Sequence, residues 1–184
     1  RGYIPGRNLV MASVDRVHPI SDYAASFLLR RFPDQAERIK VCRLGVPPAP
    51  FRQRRITAPF ALVSCSHMAP YKRVGLLVEA VAELERRGRK ITWTHIGEFD
   101  HARLKNMRAR AVQLLTTTSW TFTGHLSNAQ VREYYATQDY SCFLNVSDGE
   151  GVPVSVMEAQ AAGLPVVATA AGGTGEIVLD GVNG

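Results

Sequence analysis

Two carboxylates near the end of the chain have the spacing and setting of a ligand-binding pair. Glu150 and Glu158 are separated by seven residues, and the glycines beside Glu150 together with Pro153 indicate a loop that passes into a helix. The first N–H groups of a helix lack intrahelical partners, so they and the helix dipole favour a phosphate there. A carboxylate beside a diphosphate is repelled unless it accepts hydrogen bonds from neutral hydroxyls. The pair therefore indicates a ligand with both phosphate and sugar, such as a nucleotide sugar.

The elements that must position these carboxylates alternate along the chain. Short β-branched runs predict strands, and longer amphipathic patterns between them predict helices. The predicted strands are 60–65, 91–96, 120–123, 140–146 and 165–169, and the predicted helices are 74–87, 100–115, 127–137 and 153–162. Such alternation predicts an α/β fold, a Rossmann-like parallel sheet with helices on both faces. Ligands bind beyond the carboxyl ends of such strands, which places the loops 66–72, 97–99, 124–126, 147–154 and 170–174 around one crevice.

The stretch from residue 148 to residue 184 resembles the signature of the retaining family-4 (group 1) glycosyltransferases. The matching segments are E-G-V-P-V-S-V-M-E-A for a Glu-x7-Glu motif, A-A-G-L-P-V-V-A-T, G-G-T-G-E-I-V and D-G-V-N-G. Weaker likeness at F-T-G-H-L-S and K-R-V-G-L-L-V-E-A extends it over roughly residues 60–184. The resemblance implies the C-terminal, nucleotide-sugar-binding domain of a GT-B enzyme. The alternative is that Pro153 merely starts a helix and that Glu158 is a solvated helix residue.

The resemblance also implies roles for individual residues. Glu150 would contact hydroxyls of the transferred sugar, Glu158 the ribose hydroxyls, and Lys72 the diphosphate, so that Lys72 and Glu150 are the predicted catalytic residues. The arginine that the family pairs with this lysine falls on His67, which leaves His67 and Arg73 as candidates for a second phosphate-binding cation.

Further donor-binding positions follow from the same resemblance. Backbone groups would approach the phosphates and sugar at Gly151, Val152, Pro153, Val154, Ser155, Gly172 and Gly173. The base pocket would be edged by Gly97, Glu98, His125 and Leu126. Two acids one residue apart, Asp148 and Glu150, allow a Mg²⁺ site as an alternative. We expect no metal, because Lys72 and a helix N-terminus already supply positive charge and GT-B enzymes generally manage without one.

The length of 184 residues suits one donor-binding domain rather than a complete two-domain transferase. We expect residues 1–46 to be the tail of an N-terminal acceptor domain, with strands at 14–20 and 39–44 around a helix starting at Ser21 and running to residue 32. Residues 47–58, rich in proline and arginine, would form a linker, and 59–184 a C-terminally truncated donor domain. An extra β-α unit of the same domain is the alternative for the first segment.

The net charge of +6 permits contact with polyanions. We expect mostly solvated basic faces and no nucleic-acid partner; attraction to anionic lipid at the inner face of the cell membrane is the alternative. Three scattered cysteines, Cys42, Cys65 and Cys142, predict reduced core thiols of a cytoplasmic protein. No apolar run is long enough to span a membrane.

Three functions compete at this stage. The first is the donor domain of a retaining hexosyltransferase that serves surface-polysaccharide, lipopolysaccharide or glycolipid assembly, with a glycan or lipid-linked acceptor. The second is a GT-B-like sugar-nucleotide epimerase. The third is a non-catalytic nucleotide-binding module or a dehydrogenase domain, although S-C-S-H-M-A stands where a dinucleotide-binding fingerprint would follow the first strand. The sequence does not identify donor base, sugar, acceptor, linkage or oligomeric state.

Overall fold

The computed structural model describes residues 6–49, 54, 56, 58–97 and 100–184. The chain divides into two compact units, Arg1–Leu44 and Gly45–Gly184. Glu98, which was predicted to edge the base pocket, lies outside the described residues, as do six positions of the predicted linker (50–53, 55 and 57). Whether the first unit belongs to an acceptor domain stays a prediction.

The described residues of the first unit form the α-helices α1 (Arg7–Ser13) and α2 (Asp22–Arg31) and a 3₁₀ segment, Pro33–Arg38. Helix α2 begins where the sequence indicated, because the Ser21 side chain accepts a hydrogen bond from the Ala24 N–H at 3.1 Å. The prediction of regular strands at 14–20 and 39–44 is wrong. Their described residues form a parallel bridge between Val17 and Ile39. Pro19 accepts a hydrogen bond from the Cys42 N–H at 2.9 Å, but it lacks an N–H and cannot donate the next bond of a ladder.

The second unit contains the predicted alternation of strands and helices. The strands are β1 (Phe60–Cys65), β2 (Ile91–Ile96), β3 (Ser119–Phe122), β4 (Cys142–Asn145) and β5 (Val166–Ala168). The helices are α3 (Val74–Arg86), α4 (His101–Leu114), α5 (Asn128–Thr137) and α6 (Val154–Ala161). Short 3₁₀ segments lie at Pro70–Lys72 and Thr174–Glu176. Each predicted element of this unit is present, with bounds that differ by at most two residues.

The strands form one five-stranded parallel sheet in the order β3-β2-β1-β4-β5. The chain moves outward from β1 to β3 and then crosses back to place β4 on the other side of β1. The order therefore reverses between β1 and β4, and loops that leave two such strands diverge and open a crevice at their carboxyl ends. Lys72 follows β1, and Glu150 follows β4.

Helices cover both faces of the sheet, as predicted. Leu62 and Val63 are adjacent in β1 and point to opposite faces, each into a different core. One core joins β1–β3 to α3 and α4 through buried residues that include Val78, Val81 and Ala111. The other joins the sheet to α5 and α6 through residues that include Val131, Tyr135 and Val156. The fold class is confirmed.

Local sequence signals explain where the helices begin. Ser127 and Gln130 form a complete capping box at α5: the Gln130 N–H donates to Ser127 Oγ at 3.3 Å, and the Ser127 N–H to Gln130 Oε1 at 2.8 Å. Asp100 caps α4 by accepting from the Arg103 N–H at 2.8 Å. These caps fix the start of α4, which precedes β3, and the start of α5, which follows it.

Arg54 corrects the expectation of a solvated arginine in the linker. Its guanidinium donates to the carbonyl oxygens of Tyr135, of Gln138 (2.6 Å) and of Ala162 (3.0 Å). These carbonyls lie at or near the C-terminal ends of α5 and α6, where a cation is favoured by the helix dipoles. Arg54 thus ties the start of the second unit to both helices.

All three cysteines are free thiols, as expected. Cys65 and Cys142 are half-buried, and burial raises the pKa of the Cys65 thiol to about 11. Cys42 is exposed, so the prediction of a core thiol is wrong for that residue. Within the described part of the chain, no helix combines the length and the apolar character that crossing a bilayer requires.

Candidate functional site

Lys72 and Glu150 meet where the strand order reverses. The Lys72 Nζ lies 2.7 Å from Glu150 Oε1, and only 14% and 8% of the two side chains are exposed. The Asn145 amide adds a longer hydrogen bond to the same oxygen at 3.3 Å. Burial acts to raise the pKa of Glu150, but Lys72, Ser147 and Asn145 together outweigh it and hold this pKa below its ordinary value. The carboxylate is therefore ionised at neutral pH and accepts hydrogen bonds only.

The loop that carries Lys72 is held by many backbone contacts. Lys72 ends the 3₁₀ segment, and Arg73 follows in the left-handed region at φ 49°. The Tyr71 carbonyl accepts a hydrogen bond from the Asp148 N–H at 2.9 Å, which joins this loop directly to the loop after β4. The geometry of the Lys72–Glu150 pair thus depends on backbone that is already fixed.

The contacts of Arg73 and His67, the candidates for a second phosphate-binding cation, differ from the ion pair that Lys72 forms. The Arg73 guanidinium donates to the carbonyl oxygens of Val146 (2.6 Å) and Ser147 (3.3 Å), so it braces the loop after β4. His67 is exposed, and its Nε2 lies 3.1 Å from the Tyr71 hydroxyl. The phosphate role of both residues stays a prediction, and the contacts of Arg73 favour a bracing role instead.

Glu158 lies inside helix α6 and is only 5% exposed. The alternative of a solvated helix residue is therefore wrong. Its Oε1 accepts a hydrogen bond from the Asn128 amide, and Arg132 Nη1 lies 3.8 Å away. Arg132 also donates to Asn128 Oδ1. Sequence reasoning missed Asn128 and Arg132, whose spacing of four residues on α5 was the available signal.

The start of α6 has no side-chain cap. Pro153 is the N-cap and makes no side-chain capping bond. Of the predicted donor-contacting residues around this start, Val152 and Pro153 are buried, Ser155 is half-buried, and Gly151 and Val154 are exposed. Uncapped N–H groups at a helix start are the donors that a phosphate binds.

Gly172 and Gly173 pack directly against the Glu150 loop. The Gly173 N–H donates to the Gly151 carbonyl at 2.8 Å. Gly172 has φ 57°, and a Cβ at this position would lie 1.8 Å from the Glu150 carbonyl oxygen. Only glycine permits this approach. The structure therefore brings the Gly172–Gly173 turn, Glu150 and Lys72 together, as the predicted crevice requires.

The described residues that were predicted to edge the base pocket differ from one another in exposure and in contacts. His125 is exposed. Leu126 is half-buried and packs against the core beneath α5 and α6. A Cβ on Gly97 would lie 1.9 Å from the Ser66 carbonyl oxygen, so this glycine makes room for the backbone after β1. Contact with a base stays a prediction for all three.

No group of three or more His, Cys, Asp or Glu side chains suited to a metal ion occurs among the residues that the structure describes. Asp148, the possible partner of Glu150 in a Mg²⁺ site, is exposed, whereas Glu150 is paired with Lys72. Independence from metal stays a prediction.

Comparison with known proteins places this geometry in a family. A family model described as glycosyl transferases group 1 matches residues 49–184. The chain is 31% identical over 162 residues to the amylovoran biosynthesis glycosyltransferase AmsK of Erwinia amylovora, covering 81% of this chain and 38% of AmsK. It is 27% identical over 189 residues to the putative colanic acid biosynthesis glycosyltransferase WcaL of Salmonella typhimurium, covering 99% and 46%. The chain thus spans less than half the length of these relatives.

The solved structures agree on the fold. The crystal structure of Anabaena Alr3699/HepE in complex with UDP and glucose superposes with a TM-score of 0.76 at 22% identity, covering 96% of this chain and 50% of HepE. The parallel sheet and its helices are thus those of GT-B glycosyltransferases. With the family model matched over most of the chain, this protein belongs to the glycosyl transferases group 1 family.

Proposed function

We propose that Gly45–Gly184 binds the nucleoside diphosphate sugar donor of a retaining hexosyltransferase. The observation that carries this proposal is the Lys72–Glu150 pair, with its 2.7 Å separation, between loops that leave two adjacent parallel strands. A cation and a hydrogen-bond acceptor so placed match a ligand with an anionic diphosphate beside a neutral sugar. We assign the ribose to Glu158, which is buried in the helix that follows.

The chemistry assigns each group a task. Cleavage of a sugar-diphosphate bond develops negative charge on the leaving phosphate, which Lys72 and the uncapped N–H groups of α6 stabilise. Glu150 accepts hydrogen bonds from sugar hydroxyls and orients the ring. Glu158 accepts from the ribose diol and discriminates against nucleotides that lack a hydroxyl there, because a buried acceptor is then left unpaired. Metal is not required in this scheme.

The complete enzyme transfers the sugar to a glycan or lipid-linked acceptor in surface-polysaccharide or lipopolysaccharide assembly. Support comes from the names of AmsK and WcaL, which refer to amylovoran and colanic acid. Retention of configuration and the hexosyl donor rest on the family resemblance. We place the protein in the cytoplasm, with peripheral attraction to anionic membrane through exposed cations of α4 such as Lys105 and Arg108.

The test begins with a thermal-shift panel of UDP-, GDP- and ADP-sugars, because a ligand that binds the native state raises its apparent stability. Calorimetry with the selected nucleotide, with and without EDTA, then compares Lys72→Ala with Lys105→Ala. Lys105 is an exposed lysine of α4, so its removal changes net charge equally. We expect Lys72→Ala to weaken binding by roughly 1.5–3 kcal/mol, the worth of a charge-assisted hydrogen bond, and Lys105→Ala to have no effect.

Equal affinities in the two lysine variants would contradict the diphosphate role of Lys72. Circular dichroism must first show that Lys72→Ala is folded at the assay temperature. Loss of binding in EDTA would overturn the metal-free scheme. Product analysis with the complete protein separates a transferase, which attaches the sugar to an acceptor, from an epimerase, which does not.

A further inference from the structure

A chain of buried polar groups lies beneath the loop that carries Lys72. Trp93 Nε1 lies 3.0 Å from Ser64 Oγ, which lies 2.8 Å from His95 Nδ1. His95 Nε2 lies 3.1 Å from the carbonyl oxygen of Ser66. Trp93, Ser64 and His95 are each at most 1% exposed. The chain of contacts therefore runs from the core to the first residue after β1.

The direction of these hydrogen bonds follows from their chemistry. The Ser66 carbonyl can only accept, so His95 Nε2 carries a hydrogen and donates it. In a neutral ring Nδ1 then accepts, and it takes its hydrogen bond from the Ser64 hydroxyl, which itself accepts from the Trp93 N–H. Burial lowers the pKa of His95 to about 4, with the Ser66 hydrogen bond acting in the opposite direction, so the ring is neutral at pH 7.

The Ser66 peptide is confined from a second side by Gly97. A Cβ on Gly97 would lie 1.9 Å from the Ser66 oxygen and 2.7 Å from its carbonyl carbon. The Ser66 N–H donates to the Ile96 carbonyl at 2.9 Å, which continues the sheet ladder by one residue. Both peptide groups that flank Ser66 are thus held: the preceding one at the Ser66 N–H, and the following one at the Ser66 carbonyl oxygen and by close contact with Gly97.

The direction in which the chain leaves β1 determines where Lys72 can reach. Further along, Arg103 Nη1 donates to the Met68 carbonyl at 3.0 Å, from the flank of α4. Arg103 is largely exposed, whereas His95 is sealed in the core against the ring of Phe122. The His95–Ser66 hydrogen bond is the stronger constraint, because its donor ring is fully buried and the bond itself is part-buried, so water competes for it less.

We propose that His95 is a positioning residue, which fixes the Ser66 peptide and thereby sets the loop that presents Lys72 to the donor diphosphate. The first part of this proposal concerns the loop alone, and the second rests on the proposed function. A phosphate-binding amine that is displaced by a fraction of an ångström loses much of its benefit in the transition state. His95 acts through hydrogen bonding rather than through charge, since the ring is neutral.

Two substitutions test the two ring nitrogens of His95 independently. Glutamine carries its amide nitrogen four bonds from Cα, as His95 carries Nε2, so His95→Gln retains a donor for the Ser66 carbonyl. Asparagine matches only Nδ1, so His95→Asn keeps a partner for Ser64 and loses the bond to Ser66. Ser64→Ala is the control, because it disturbs the same buried chain and leaves the His95–Ser66 bond in place.

Amide hydrogen exchange reads the loop without any ligand. The Lys72 and Arg73 amides donate to the carbonyl oxygens of Ala69 and Pro70. We expect His95→Asn to speed hydrogen exchange at these two amides by about tenfold relative to core amides, which is the effect of losing one hydrogen bond. His95→Gln should stay within about threefold of wild type at these amides, and Ser64→Ala should speed core and loop exchange alike. Uniform exchange changes in His95→Asn, or equal effects of Asn and Gln, would overturn the positioning role.

Calorimetry with the nucleotide selected by the ligand panel tests the second step. We expect His95→Asn to weaken nucleotide binding by about tenfold, and His95→Gln to restore it. Selective loosening of the loop with unchanged nucleotide affinity would overturn the link to the donor. If the wild-type chain binds no nucleoside diphosphate, the proposed function fails, while the exchange result still decides whether His95 positions the loop.

Discussion

Lys72 and Glu150 satisfy one another across the crevice, with Nζ and Oε1 2.7 Å apart and both side chains largely buried. They are assigned to different parts of the donor, the diphosphate and the transferred sugar. A bound donor must therefore either contact both groups while they stay paired or break their ion pair. The free-energy cost of breaking the pair is offset only if the phosphate replaces the carboxylate beside Lys72. Under the proposed function, the pair would link the binding of the two halves of the ligand.

The first prediction concerns the stability of this pair. Lys72→Met leaves the Glu150 carboxylate buried without its cation, which should lower the free energy of unfolding by about 3–5 kcal/mol. Combining it with Glu150→Gln removes the unpaired charge and should recover most of that loss, whereas Lys105→Met should change little. Urea denaturation of the single and double variants measures the coupling. Additive losses in the double variant would show that the two groups are not energetically paired.

The second prediction divides the roles of the two glutamates. Glu150→Gln releases Lys72, so it should preserve or improve the affinity for nucleoside diphosphate and impair turnover in the complete enzyme. Glu158→Gln should instead abolish the preference for a ribonucleotide over its 2′-deoxy analogue, a preference of roughly 1–3 kcal/mol when a buried acceptor is left unpaired. Calorimetry with the nucleotide pair and steady-state kinetics check the two halves. Equal losses of nucleotide affinity in both variants would refute the division.

The sequence was sufficient for the second unit because each signal there is local. The Ser127–Gln130 capping box and the apolar spacing of Val74, Leu77, Val78 and Val81 depend on neighbours within one or two turns. The first unit shows the limit, since Val17 and Ile39 are strand-like by composition and, within the described residues, form one isolated bridge. A strand needs partners, and composition does not supply them.

The motif residues of the candidate site were predictable from the sequence, but the contacts that hold them in place were not. Glu150 and Glu158 were identified from their loop-to-helix setting and the family signature around them, but Asn128 is 30 positions from the carboxylate that it contacts. Arg73, adjacent to Lys72, was a candidate for phosphate binding, and the contacts of its guanidinium with carbonyls of the loop after β4 were not predicted. Such contacts arise when helices and loops pack, and no periodicity in the sequence encodes them.

The third prediction concerns acid stability and the carboxylate of Glu85. It accepts hydrogen bonds from the backbone N–H groups of residues 116–118 and from the Thr116 hydroxyl. Burial acts to raise the pKa of Glu85, but these hydrogen bonds prevail and lower it to about 2. A folded-state pKa below the unfolded value of 4.5 gives stability that is complete above pH 4.5 and is lost as the pH falls toward 2.

Glu85→Gln should therefore lower stability at pH 7 by about 1 kcal/mol, a value reduced for solvent screening of a partly exposed group. The difference from wild type should shrink between pH 4.5 and pH 2, where the wild-type carboxylate becomes protonated. Glu79→Gln, on the same helix and in an exposed ion pair with Arg110, is the control. The urea midpoints of wild type and of both variants, taken across this pH range, measure the stability difference. A difference that stays constant with pH would contradict the assignment of the hydrogen bonds to the ionised form.

The last prediction separates close packing from backbone strain at glycine. Gly88 and Gly172 both have positive φ, 71° and 57°, but a Cβ at Gly88 meets nothing within 4 Å, whereas one at Gly172 meets the Glu150 carbonyl oxygen at 1.8 Å. Gly88→Ala should cost only the strain of a left-handed residue, about 1–2 kcal/mol. Gly172→Ala carries the same strain and must also displace the Glu150 backbone.

The melting temperature of Gly172→Ala should therefore fall further than that of Gly88→Ala, and its nucleotide-sugar binding should be lost even where the domain remains folded. Gly88 lies between the end of α3 and the start of β2, at the amino ends of the parallel strands and opposite the crevice loops, so Gly88→Ala should bind the donor normally at a temperature below its transition. Thermal denaturation and calorimetry on both variants make the comparison. Retained binding in Gly172→Ala would mean that the turn at Gly172 can move away from Glu150 without harm, and that their contact does not define the donor site.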